Sequence, residues 1–116
     1  MSTADCIFCR IAKKEIPAKI VFEDDYLVAF EDIRPRAPVH ILVIPKHHIE
    51  RVSDLKEDHI DLVGKLVLTA KKLAKEKGVQ ESGYRIVLNC NADAGQEVFH
   101  IHLHLLGGRR FTWPPG

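Results

Sequence analysis

The sequence predicts an α+β fold, a mostly antiparallel five-stranded sheet with one long and one short helix. Three observations carry this: several strand-like segments follow one another, one long stretch repeats apolar residues at helical spacing, and a shorter helical pattern leads the chain. At 116 residues, with no internal repeat, linker or low-complexity tract, a single domain over 1–116 is expected.

Residues 6–11 form the short helix, with Ile7, Phe8 and Ile11 on one face and Pro17 beyond to keep it from continuing. Residues 19–23 and 26–31 read as strands around an Asp24-Asp25 turn, a hairpin. Two prolines make residues 33–38 a loop, and the apolar run 40–44, stopped by Pro45, is a buried strand. Ser53 is the expected cap of a helix in which Ile60, Val63, Leu66, Val67, Ala70, Leu73 and Ala74 recur at helical spacing. Lys71, Lys72, Lys75 and Lys77 suit its C-terminal dipole as a solvated end, and Gly78 supplies the stop. Residues 84–88 are the fourth strand and 98–106 the fifth. Between them, residues 89–97 are rich in Asn, Asp, Gly and Ala, a loop free to adopt positive φ.

Hydrophobic residues at 46% and charged residues at 28% are the composition of an ordinary soluble globular protein. Seventeen basic against sixteen acidic residues leave +1, no global field for nucleic acid or an anionic membrane, so bound anions must be held locally. With no apolar run of membrane-spanning length and no signal-peptide layout, a cytoplasmic protein is expected. Three cysteines include Cys6-x-x-Cys9, a spacing that in a reducing compartment suggests metal or redox chemistry; Cys90 reads as a small buried hydrophobe.

Histidine is the unusual feature. Of seven, His40, His47 and His48 form one group and His100, His102 and His104 another. Across residues 99–106 polar and apolar residues alternate, so a strand places the three imidazoles on one face and Ile101, Leu103 and Leu105 on the other. Imidazoles two residues apart are about 6.6 Å apart along a strand. Two chemistries fit: neutral imidazoles chelating a metal that activates water, or one imidazole attacking an electrophile while its neighbours fix its tautomer. Asn89, Gly95 and Gln96 add amide and backbone N–H donors, the equipment of an anion site.

His100-Ile101-His102-Leu103-His104-Leu105-Leu106 resembles the signature of the histidine-triad superfamily. Residues 16–19, Glu23-Asp24-Asp25, residues 40–46, Gly95-Gln96 and the ending Trp113-Pro114-Pro115-Gly116 are similar to its nucleotide-binding branch. The resemblance implies a purine-nucleotide-binding α+β fold, a homodimer, no organic cofactor, and hydrolysis of phosphoramidate or acyl-phosphate adducts of AMP. The alternative is a nucleotide- or protein-binding regulator with incidental catalysis.

Carried over by position, the resemblance makes His102 the nucleophile, His104 a phosphate ligand and His100 the residue that orients His102 through its carbonyl. His40 assists the leaving group, and Asn89, Gly95 and Gln96 lie near the α-phosphate. Asp32 holds the ribose, and Ile7, Phe8, Ile11, Phe30, Ile33 and Leu42 form the purine slot. Glu97 departs from the hydroxyl residue usual in this family at the phosphate, and Glu31 stands where relatives vary at the base pocket's rim. The zinc-bearing members further imply a structural zinc on Cys6, Cys9, His48 and His100. The tail implies docking across a two-fold, with Trp113 reaching the partner's leaving-group side.

Overall fold

The computed structural model describes residues 3–116. Its elements run α1 (Ile7–Ala12), β1 (Ile20–Glu23), β2 (Leu27–Glu31), β3 (Val39–Pro45), α2 (Ile60–Glu76), β4 (Tyr84–Leu88) and β5 (Leu103–Gly107), with one-turn 3-10 segments between them. The strands form one antiparallel sheet in the order β1-β2-β3-β5-β4. This is the predicted α+β fold, with the last strand inserted between β3 and β4.

Alternation along the strands sorts side chains onto two faces. Leu27, Ala29, Ile41, Val43, Leu103 and Leu105 pack against Leu66, Ala70, Leu73 and Ala74 of α2. On the other face Val28, Phe30, Leu42 and Ile44 pack beneath Cys6, Phe8, Cys9 and Ile11 of the α1 segment. Each fully buried apolar side chain contributes roughly 1.5–3 kcal/mol, so α2 anchors one face while α1 covers the other. In the ladder His40 stands opposite Leu106, and Leu42 opposite His104, which puts these residues on the α1 face.

The hairpin turn forms as expected: the Asp24 carboxylate accepts from Tyr26 N–H and Leu27 N–H, each at 2.7 Å. Gly78 ends α2 with φ +75° and donates to Lys75 O at 3.1 Å. The four lysines at that end are exposed.

Several boundaries differ from expectation for definable reasons. α1 stops at Ala12, before Pro17 can act, because Lys14 turns to φ +64°. Its buried face is Phe8, Cys9 and Ile11, while Ile7 points outward. Ser53 does not cap α2; it lies in a separate 3-10 turn, Val52–Asp54, and α2 begins at Ile60 after His59. Ile60 and Val67 are exposed, and Thr69 takes a buried position instead. Regular β5 begins at Leu103, not 98. Its ladder partners run out there, at Val43 and Leu88, and Ile101 N–H donates instead to Ile49 O at 2.7 Å. Cys90 is half-buried with its Sγ 3.3 Å from Ser53 Oγ, so it is a polar contact rather than a core filler.

Candidate active site

His102 lies just before β5, buried beneath Phe8, whose ring meets it edge to face at 5.1 Å. Its Nδ1 is 2.8 Å from the His100 carbonyl, which can only accept, so Nδ1 carries the proton and Nε2 keeps its lone pair. Burial holds the imidazole below its ordinary pKa, so that lone pair is present at neutral pH.

A second chain of contacts fixes the neighbouring tautomers. Arg36 N–H donates to His40 Nδ1 at 3.0 Å, so the His40 proton sits on Nε2 and is donated to His104 Nδ1 at 2.9 Å. The remaining His104 proton is therefore on Nε2. Asp32 Oδ2 lies 3.4 Å from His40 Nε2, while its Oδ1 accepts from Arg34 N–H at 2.8 Å. Burial pushes His104 down to about 4, with His102 and His40 adding repulsion, and burial also lowers His40. Asp32, His40 and His104 lie close enough to suggest a cation site. Yet a metal on His40 Nε2 would need the proton on Nδ1, where Arg36 already donates. The arrangement suits hydrogen bonding to an anion, which tells against metal-activated water.

His100 is turned the other way. Its Nε2–H donates to Pro45 O at 2.7 Å, leaving Nδ1 unprotonated and facing the thiols. Cys6 Sγ and Cys9 Sγ lie 3.4 and 3.5 Å from His100 Nδ1, and His48 Nδ1 lies 3.2 Å from Cys9 Sγ and 3.1 Å from His100 Nδ1. The first turn of α1 brings both sulfurs to this side, with Cys6 as N-cap. Tetrahedral coordination at thiolate and imidazole bond lengths needs donor edges of about 3.3–3.8 Å; the two thiol edges to His100 fall in that range and the two His48 edges lie within a few tenths of an ångström below it, a donor set suited to a metal ion. Burial and the adjoining Cys6 push the Cys9 thiol up to about 11, a charge problem that a bound cation reverses.

The loop before β5 is held by its own hydrogen bonds. Positive φ occurs at Asn91 (+68°) and Gly95 (+83°) as foreseen. Gly95 N–H, however, donates to Ala92 O and Gln96 N–H to Asn91 O. The buried Gln96 amide accepts from Asn91 N–H and donates to Glu50 O and Val98 O. These bonds tie the loop to residues 50, 91, 92 and 98. Glu97 is exposed, and Asn89 lines a pocket beside the histidines.

Phe8, Ile11, Phe30 and Leu42 are brought together as expected, with Phe8 and Phe30 edge to face at 5.5 Å. Ile33 is 91% exposed and Ile7 48%, so neither belongs to this buried cluster. Glu31 pairs with Lys19 at 2.9 Å. The tail is held in part by its own chain: Arg85 donates to Thr112 O at 3.0 Å, and Arg85 and Arg109 both stack on Phe111, while Trp113 stays 81% exposed. Sequence reasoning missed Arg36 N–H, Pro45 O, Arg85 and Arg109. The alternation of Tyr84–Leu88 could have flagged Arg85, which that pattern puts on the histidine face.

A sheet whose interior strand β5, with the residues leading into it, presents a row of tautomer-fixed imidazoles under a short helix defines a class of histidine-based sites. Residues 13–111 match the HIT domain, and the chain belongs to that family. It is 48% identical over 105 residues to the purine nucleoside phosphoramidase of Escherichia coli, covering 90% of this chain and 88% of that one. It is 50% identical over 114 residues to a 14 kDa zinc-binding protein of Brassica juncea, covering 97% and 100%. The crystal structure of a HIT family hydrolase from Legionella pneumophila superposes with TM-score 0.95 at 56% identity, covering 97% and 100%.

Proposed function

We propose that this chain hydrolyses purine nucleoside phosphoramidates, releasing AMP through a covalent nucleotidyl-histidine intermediate. The observation that carries the reading is the lock of His102 Nδ1–H onto the His100 carbonyl, which leaves Nε2 as a neutral nucleophile beside His104. In the first step Nε2 donates its lone pair to phosphorus and the phosphorus–nitrogen bond breaks. The nitrogen keeps the bonding pair, takes a proton from solvent and departs as amine. In the second, water attacks phosphorus, the histidine–phosphorus bond breaks, and AMP and a proton leave. His104 Nε2–H donates to a phosphate oxygen, His40 fixes His104 and faces the leaving group, and Asp32 accepts from the ribose hydroxyls through its less committed Oδ2. Phe8, Ile11, Phe30 and Leu42 make the base slot, with Ile7 and Ile33 at its rim. Support comes from the phosphoramidase among the relatives. The test is turnover of an AMP phosphoramidate by His102→Ala: residual activity above a few per cent of wild type removes His102 as nucleophile.

Cys6, Cys9, His48 and His100 would hold a zinc ion that is structural, closed to water by four protein ligands, and would supply cross-linking of α1 to the sheet. The zinc-binding name of one relative supports this, as does the donor set. Metal analysis of the purified chain and of a Cys6→Ser, Cys9→Ser variant tests it. Such use of thiolates suits a reducing compartment, the cytoplasm.

A homodimer is the proposed assembly. β4 is an edge strand whose Tyr84, Ile86 and Leu88 are partly exposed, and Val67 and Leu68 of α2 add apolar surface. Edge and patch together favour a second copy of the chain, and the exposed Trp113 is then available to the partner's site. Sedimentation at micromolar concentration tests the assembly; a monomer there excludes it.

A further inference from the structure

Three guanidiniums that the reaction above does not use share one concavity on the histidine side of the sheet. Arg36, Arg85 and Arg109 line a pocket of about 370 Å³ together with Val87, Leu106 and Phe111. Its position follows from the register. Val87 is the ladder partner of His104, and Leu106 stands between Arg85 on one side and His40 on the other. Arg85 is thus two strands from His40, about 9.6 Å at the usual spacing, and the pocket opens beside the end of the site where His40 sits.

Among the described residues, none of the three arginines forms an ion pair with a carboxylate. Gly116 also lines the pocket but makes no ion pair with them. Two are nonetheless fixed. Arg109 donates to Arg36 O at 2.8 Å and to Arg110 O at 3.1 Å, Arg85 donates to Thr112 O, and both stack on Phe111, at 4.3 and 5.1 Å from the ring centre. Carbonyl bonds consume some N–H groups and leave others directed elsewhere, so the forks are ordered before any ligand arrives. Ordered, uncompensated guanidiniums are a receptor for a planar or tetrahedral oxyanion.

We propose that this pocket receives an oxyanion carried by the leaving group, so that the chain prefers nucleotidyl conjugates of acidic amines over those of neutral ones. The inference rests on the phosphoramidase reading, and the test separates the two. AMP would be linked through nitrogen to glycine, β-alanine and γ-aminobutyrate, and to the amide of each, and kcat/KM compared within each pair. We expect the best acid to exceed its amide about tenfold, with the ratio falling as salt is raised. Arg109→Gln and Arg85→Gln should bring the ratio toward one. Arg36→Gln, whose side chain makes none of these internal bonds, should lower it too and serves if the others fold poorly. Amides hydrolysed as fast as acids at every length, or a ratio indifferent to salt and to all three substitutions, overturns the pocket while leaving the phosphoramidase standing. Hydrolysis of neither series overturns the phosphoramidase reading itself.

Discussion

The two ends of the histidine row use the same side chain for opposite purposes. At the α1 end, His100 spends Nε2–H on the Pro45 carbonyl and turns a lone pair toward two sulfurs. At the β3 end, His40 spends its Nδ1 lone pair on the Arg36 amide and turns a proton toward His104. One backbone carbonyl leaves an imidazole with an open lone pair and one backbone amide makes a hydrogen-bond donor. His102 lies between them on the His100 carbonyl, the partner that the triad resemblance implies, whereas Pro45 O and Arg36 N–H are main-chain groups that no motif spells out.

The largest break in this contrast is at the centre. His102→Ala should lower turnover at least about a thousandfold, since no other unprotonated Nε2 on the row is free for attack. AMP binding, measured by titration, should survive, because the base slot and Asp32 are untouched.

Next in size is loss of the metal end. Cys6→Ser with Cys9→Ser should strip zinc and destabilise the fold on the order of 4 kcal/mol if the ion is present a thousandfold above its Kd. Denaturant unfolding with and without added zinc reads this, and wild type treated with a strong chelator should move toward the variant. Activity per folded molecule should fall far less than for His102→Ala. Equal losses would mean that the two ends are not separable.

A smaller change sharpens the β3 end. Arg36→Pro removes the N–H that holds His40 together with the guanidinium, so it is compared with Arg36→Gln, which keeps the N–H; against that variant it should reduce kcat about tenfold with little further effect on KM. Nitrogen chemical shifts of the His40 ring would show its proton no longer confined to Nε2. An unchanged tautomer would deny the amide its role.

The smallest effect is on pH. Burial holds His104 down to about 4, below its unfolded value of 6.5, so the unfolded chain takes up the proton first. Its contribution is complete above pH 6.5 and is lost as pH falls toward 4. His104→Gln should therefore lose less of its urea midpoint than wild type between pH 7 and pH 4.5.

How much of this was readable in the sequence follows from which interactions are local. The strands, α2 and the histidine alternation were legible, because burial on one face imposes a period of two or 3.6 on nearby residues. Gly78 and Asp24 were legible because their turns are made within four residues. Ile7 and Ile60 misled because apolar character marks possible burial, while the partner that decides it is distant. The early end of the β5 ladder was hidden for the same reason: it depends on where Val43 and Leu88 stop pairing, in strands far off in sequence. The Gln96 amide ties residues 50, 91 and 98 together, contacts between segments that the sequence does not signal. Arg36 N–H and Pro45 O are main-chain groups, which carry no residue-type signal.

The insertion of β5 between β3 and β4 has a consequence for how the protein is made. The strand that enters the sheet's interior is the last to be synthesised, so a nascent chain that has completed β4 still lacks the element that joins its parts. Until residues 103–107 arrive, β3 and β4 each offer an open edge to any neighbouring chain. Assembly of the histidine row and closure of the sheet are therefore one event, which waits for this strand. A chain truncated before this strand would be expected to aggregate rather than retain a fraction of its activity.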